Sequence, residues 1–152
     1  MEDKFFLHRI RLDGETYSAG IEVHDTLDSA IQSFHSQMKM AYDNPSYPNM
    51  KFISCMVTDQ GDKVVGNYNE TWNKVGVADF FVHYIRHDGD NYVKGIDVCA
   101  DYATACRSFH THLEYGYGNS RFPNITFVAS KITGGSGLAH KTEAWTKSEP
   151  NT

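Results

Sequence analysis

Cysteine, proline and long apolar runs are scarce in this chain, and a cluster of basic residues is missing altogether. Of 152 residues only three are cysteine and four proline. Cys55, Cys99 and Cys106 are odd in number, so a complete intrachain disulfide framework is excluded and a reducing cytosol is the expectation. No apolar run approaches the ~18 residues of a membrane helix, and no charged-then-apolar leader opens the sequence. The net charge is −5, and lysine and arginine form no stripe. Duplex nucleic acid is therefore disfavoured as a partner, because binding it requires clustered cations against the phosphates.

Chemical motifs are equally sparse. The sequence contains no Gly-x-x-x-x-Gly-Lys-Ser/Thr, Gly-x-Ser-x-Gly, His-Glu-x-x-His or Cys-x-x-Cys. His110-Thr111-His112 is a weak metal signal, because its second histidine aligns with Gln37 in the repeat described below. The Gly134-Gly135-Ser136-Gly137 run reads as a hairpin turn, since no helix should follow it to hold a phosphate. The expectation is a protein that is not an enzyme and that needs neither metal nor cofactor.

What is present is aromatic, 13% of residues, in a chain that is 40% hydrophobic and rich enough for a packed core. It is also built twice. Phe5–Gly14 (FFLHRIRLDG) returns as Phe80–Gly89 (FFVHYIRHDG), an offset of 75 residues. Positions kept by both copies are the record of constraint that one sequence offers. The repeats divide at 1–76 and 77–152, with net charges of −4 and −1. A unit of about 75 residues buries only roughly 60% of its unfolded surface, so the copies should pack on each other as a fused pseudo-dimer.

Within each copy, residues 4–12 and 17–23, and their counterparts 79–87 and 92–98, alternate as strands around Asp13-Gly14 and Asp88-Gly89, which predicts a hairpin. Gly20 and Gly95 inside the second strand suggest a bulge. Leu27, Ala30, Ile31, Phe34, Met38 and Ala41 fall on one helical stripe between Asp25 and Tyr42, capped by Asp25 or Thr26; Asp101 caps the corresponding helix. Residues 50–58 and 125–133 then read as strands, and a last strand ends at Trp72 or Trp145, where the offset falls to 73. The tail from Ser148 should fray. The fold class is α+β: a tandem β-β-α-β-β unit, with antiparallel sheets each carrying one helix on a face and related by a pseudo-two-fold.

Candidate functional residues are those that both copies keep. His8 and His83 alternate with apolar residues and belong in or beside the core, where each ring nitrogen needs a partner. His35 and His110, each in a Ser-Phe-His unit, either tie helix to sheet and loop or contact a ligand. Arg11 and Arg86 make either surface salt bridges or a pair of guanidinium forks for phosphate or carboxylate. Trp72 and Trp145, each in Glu-x-Trp-x-Lys, are strand-end core plugs or binding platforms. Arg11, Arg86, His35, His110, Trp72 and Trp145 are the ligand-binding candidates.

This pattern of Phe/His strand, Asp-Gly turn, Gly-Ile/Val strand, Ser-Phe-His helix and Glu-x-Trp-x-Lys resembles small uncharacterised accessory proteins encoded by phages and prophages of Gram-positive anaerobic bacteria. Many of those look like a single copy. The resemblance implies a non-enzymatic protein of the host cytoplasm that counters bacterial immunity, by sequestering a small nucleotide signal, for instance between lobes or protomers. The alternative is a protein-protein inhibitor or adaptor for a host defence or phage protein. A membrane partner is not expected; a homo-oligomer is compatible with the sequence. Tyr84 for Arg9 and His87 for Leu12 warn that the two copies need not bind alike.

Overall fold

The computed structural model describes residues 4–60 and 62–147. Gly61, in the expected Asp-Gln-Gly-Asp turn, and the tail Ser148–Thr152 lie outside the described residues. The elements follow as β1 (Phe5–Asp13), β2 (Thr16–His24), α1 (Leu27–Met38), β3 (Met50–Thr58) and β4 (Val64–Asn73). Then come β5 (Phe80–Asp88), β6 (Asn91–Cys99), α2 (Tyr102–Leu113), β7 (Ile125–Thr133) and β8 (Ala139–Thr146). All pairings are antiparallel, in two four-stranded sheets ordered β2-β1-β3-β4 and β6-β5-β7-β8. The fold is α+β, a repeated arrangement of two sheets with one helix against each.

The central strands are apolar on both faces because both faces are covered. In β3 every residue but Lys51 is buried, and in β7 every residue but Thr126. One face takes the helix: Ala30, Phe34 and Met38 pack on Leu7, Ile53 and Val57, and Ala105, Phe109 and Leu113 pack on Val82, Val128 and Ile132. The caps form as short polar side chains allow. Thr26 Oγ1 accepts from Ser29 N at 3.1 Å and Asp101 Oδ1 from Thr104 N at 2.7 Å. Asp25, the other candidate cap, pairs with Lys4 at 2.5 Å.

The other face takes the second sheet. Phe6 stacks on Phe127 with ring centroids 6.4 Å apart, and Phe81 stacks on Phe52 at 5.7 Å. Tyr17 meets Phe81 edge-on and Tyr92 meets Phe6 edge-on, both at 5.7 Å. Each contact thus has a counterpart shifted by one repeat. The four phenylalanines are fully buried, and each such side chain contributes about 1.5–3 kcal/mol relative to exposure. Much of that stabilisation exists only with both sheets present.

The expected bulge at Gly20 and Gly95 is absent. The β1–β2 and β5–β6 registers run unbroken through Arg9↔Gly20 and Tyr84↔Gly95. Glycine is there for a close approach from the partner strand. A Cβ on Gly95 would sit 2.7 Å from Tyr84 Oη, and one on Gly20 would sit 3.4 Å from an Arg9 guanidinium nitrogen. Tyr84 is held by stacking on His112 at 3.8 Å, whereas the end of an arginine swings aside. Urea denaturation should show Gly95→Ala destabilising by about 1–2 kcal/mol and Gly20→Ala by no more than about 0.5 kcal/mol. Equal effects would contradict this account of the two glycines.

Candidate functional site

Strand alternation carries His8 and His83 to the seam between the sheets, facing opposite to Arg11 and Arg86. Their Nδ1 atoms lie 2.9 Å apart, and each Nε2 lies 2.8 Å from a threonine hydroxyl, Thr58 for His8 and Thr133 for His83. With both rings neutral, one Nδ1 donates and the other accepts, so the two imidazoles must be opposite tautomers. Burial, then the neighbouring His83 and Lys131, holds His8 well below its usual range; burial and Lys131 bring His83 down to about 3. A second polar contact crosses the seam. Lys131 Nζ lies 3.1 Å from the Asp62 carboxylate and also bonds Thr142 Oγ1. Burial raises the Asp62 carboxyl despite the opposing Lys131 ammonium.

Buried rings and this polar chain occupy the seam along β1 and β5. The seam does not expose a nucleophile or a base to solvent, since His8 and His83 are 1% and 4% exposed.

The outer ends of the sheets differ. Trp72 near the end of β4 and Trp145 near the end of β8 are half-buried, packed on the helix-side cores. Each is joined by a tyrosine from the segment after the helix: Tyr42 at 5.9 Å from Trp72, and Tyr117 at 5.6 Å from Trp145. Tyr42 donates to Glu70 at 2.5 Å, and Tyr117 donates to Glu143. The hydrogen bond to Glu70 is the main cause that pushes the Tyr42 phenol up to about 12. Both tyrosines have positive φ, 60° and 59°, and are 56% exposed. A bulky residue held there costs roughly 1–3 kcal/mol, and such strain gathers at functional positions.

In the second sheet this end opens into a cavity of about 210 Å³ whose lining includes Tyr115, Phe122, Pro123, Trp145 and Lys147. Tyr115 and Phe122 lie 4.3 Å apart, and the Arg86 guanidinium sits 4.1 Å over the Tyr115 ring. The structure therefore brings Trp145 and Arg86 into one neighbourhood, linked by Tyr115. It does not bring their counterparts together in the same way. Arg11 turns to helix α1, donating to Gln37 at 2.5 Å and to Ser18 at 3.2 Å.

His35 and His110 stand exposed on the helices, each edge-on to the preceding phenylalanine at 5.3 and 5.1 Å. Neither lines the cavity. Tyr42, Tyr117, Tyr115, Phe122 and Lys147 were not singled out from the sequence. Tyr42 and Tyr117 are 75 positions apart, a match that the helix stripe obscured.

One polar cluster superficially suggests acid-base chemistry. Ser108 Oγ and His112 Nε2 both contact Asp97 Oδ2, at 3.0 and 3.1 Å, and Glu22 likewise joins Ser33 and His24. In the Asp97 cluster the acid stands between hydroxyl and imidazole, so His112 cannot take the Ser108 proton. In the first copy His24 also lies 2.7 Å from Ser29 Oγ through Nδ1, so its imidazole stands between the Ser29 hydroxyl and Glu22. These clusters tie β2 to α1 and β6 to α2. Among the described residues no group of three or more His, Cys, Asp or Glu side chains is placed to hold a metal, and no helix is long and apolar enough to cross a membrane. No protein-family model, curated protein or solved structure matches the chain.

Proposed function

We propose that the chain is a tandem β-β-α-β-β protein, closed by a pseudo-two-fold into one body, that binds a small nucleotide without transforming it. The aromatic cavity at Trp145 carries this reading. Aromatic faces stack on any base, and stacking is worth about 1–3 kcal/mol per base. Lys147 in the wall and Arg86 behind Tyr115 supply positive charge beside the rings. In the setting that the sequence resemblance implies, the ligand is a nucleotide signal of bacterial immunity, and the protein is a phage accessory factor that sequesters it in the host cytoplasm.

Isothermal calorimetry against cyclic and ADP-ribose-derived nucleotides should find a saturable ligand, and Trp145→Ala should weaken it at least tenfold. A panel with no binder would count against the reading. The exposed, strained Tyr42 and Tyr117 favour a second reading, in which the two sheet ends grip a defence protein. A single stoichiometric partner from infected-host lysate, lost in a Tyr42→Ala/Tyr117→Ala variant, would favour it over the first.

A further inference from the structure

The two sheet ends come from equivalent sequence, yet substitutions separate them electrostatically. Arg121, 5.5 Å over the Phe122 ring, stands where the first copy has Ser46, and the surroundings of the matched lysine differ. In the first copy Lys74, of Glu-x-Trp-x-Lys, lies 2.6 Å from the Asp43 carboxylate. In the second copy the corresponding lysine is Lys147, and the position of Asp43 is taken by Gly118. Both Gly118 and Lys147 line the cavity, and Lys147 has no ion-pair partner among the described residues. The backbone there is the same in kind, with φ 59° at Asp43 and 71° at Gly118. Aspartate tolerates that region, so glycine is not demanded by conformation alone.

From this we infer that the Trp145 cavity is an anion-tuned site, taking one planar ligand per chain with its phosphate or carboxylate on Lys147. The first copy is neutralised from within, because Asp43 occupies Lys74 as the ligand's anion would. The inference rests on the nucleotide-binding reading and sharpens it. At about 210 Å³ the cavity is smaller than the ~300–1,000 Å³ of sites that enclose whole drug-sized ligands. It has room for one ring system with its acidic group, and the remainder of a larger nucleotide would extend into solvent. Phosphate on a lysine is recognised as a point charge, so a carboxylate on a comparable ring is admitted too.

The test is a titration of the full chain with adenosine monophosphate and with uncharged adenosine. The expected result is one site per chain, with the monophosphate at least fivefold tighter than adenosine. Gly118→Asp should abolish that preference, and Lys147→Gln should do the same. Gly118→Asn, which keeps a short side chain at the same φ without charge, should retain the preference and guards against a mere folding defect. Two equivalent sites, equal affinity for the two ligands, or a preference that survives Gly118→Asp would overturn the inference while sparing the binding reading. Absence of binding by either ligand would remove the inference, whereas the binding reading falls only if the cyclic and ADP-ribose-derived nucleotides also fail to bind.

Discussion

A Lys131→Met variant is expected to lose about 3–5 kcal/mol of stability, although methionine is what the first repeat carries at the matching position, Met56. The loss comes from the acid left behind. Lys131 and Asp62 have side chains 4% and 3% exposed, and they come from different copies, so the substitution strands a buried carboxylate at the seam. Urea denaturation of the double variant Lys131→Met/Asp62→Asn should recover most of the loss, because breaking a buried pair is far more harmful than replacing it. A single variant within about 1 kcal/mol of the parent would show that the pair does not join the sheets. The pair also specifies which surfaces meet. Two second copies docked together would bury Lys131 without its acid, and two first copies would bury Asp62 without its base. A buried charge used this way sets pairing more than it adds stability.

Mild acid is expected to produce the second large effect. His8 and His83 are held neutral, below their ordinary range, in the folded protein. The unfolded chain takes up protons on them near pH 6.5, whereas folded His83 does so only near 3. The stability they contribute is therefore complete above about pH 6.5 and erodes as the pH falls toward the folded values. Each pH unit in that window removes about 1.4 kcal/mol per histidine, so moving from pH 6.5 to 5 removes up to about 4 kcal/mol. The groups facing the pair are Lys131 from β7 and the hydroxyls of Thr58 and Thr133, and Lys131 is in turn paired with Asp62 from the β3–β4 turn. A second proton on the pair would set two donors face to face beside that ammonium. The double variant His8→Gln/His83→Gln should flatten the slope of unfolding free energy against pH relative to the parent. Equal slopes would show that the pair is not responsible.

The strands were legible because β-branched and aromatic residues alternate around Asp-Gly turns, and the helices because Ala30, Phe34 and Met38 recur at helical spacing. The duplication also marked His8 as a residue with a role. What it could not convey was that His8 meets His83, since that contact depends on how two separately patterned sheets dock. Reliance on matched positions concealed Lys131 and Asp62, an asymmetric pair built on residues that the copies do not share. At the site, Trp145 and Arg86 stood out by repetition. Tyr115 and Phe122 did not, because they lie in an irregular segment without period and differ from Met40 and Tyr47 in the first copy. Gly20 and Gly95 looked like a bulge because sequence gives no sign of the Arg9 or Tyr84 side chain lying over them.

The most direct measurement of the binding account uses the two tryptophans as reporters. In a Trp72→Phe variant, Trp145 is the remaining indole. Its emission should change saturably as the nucleotide bound in calorimetry is added, with a midpoint equal to the calorimetric dissociation constant. In the reciprocal Trp145→Phe variant, the emission of Trp72 should stay flat over the same range. A flat Trp145 signal while calorimetry reports binding, or a response at Trp72 instead, would contradict the placement of the ligand at the Trp145 cavity.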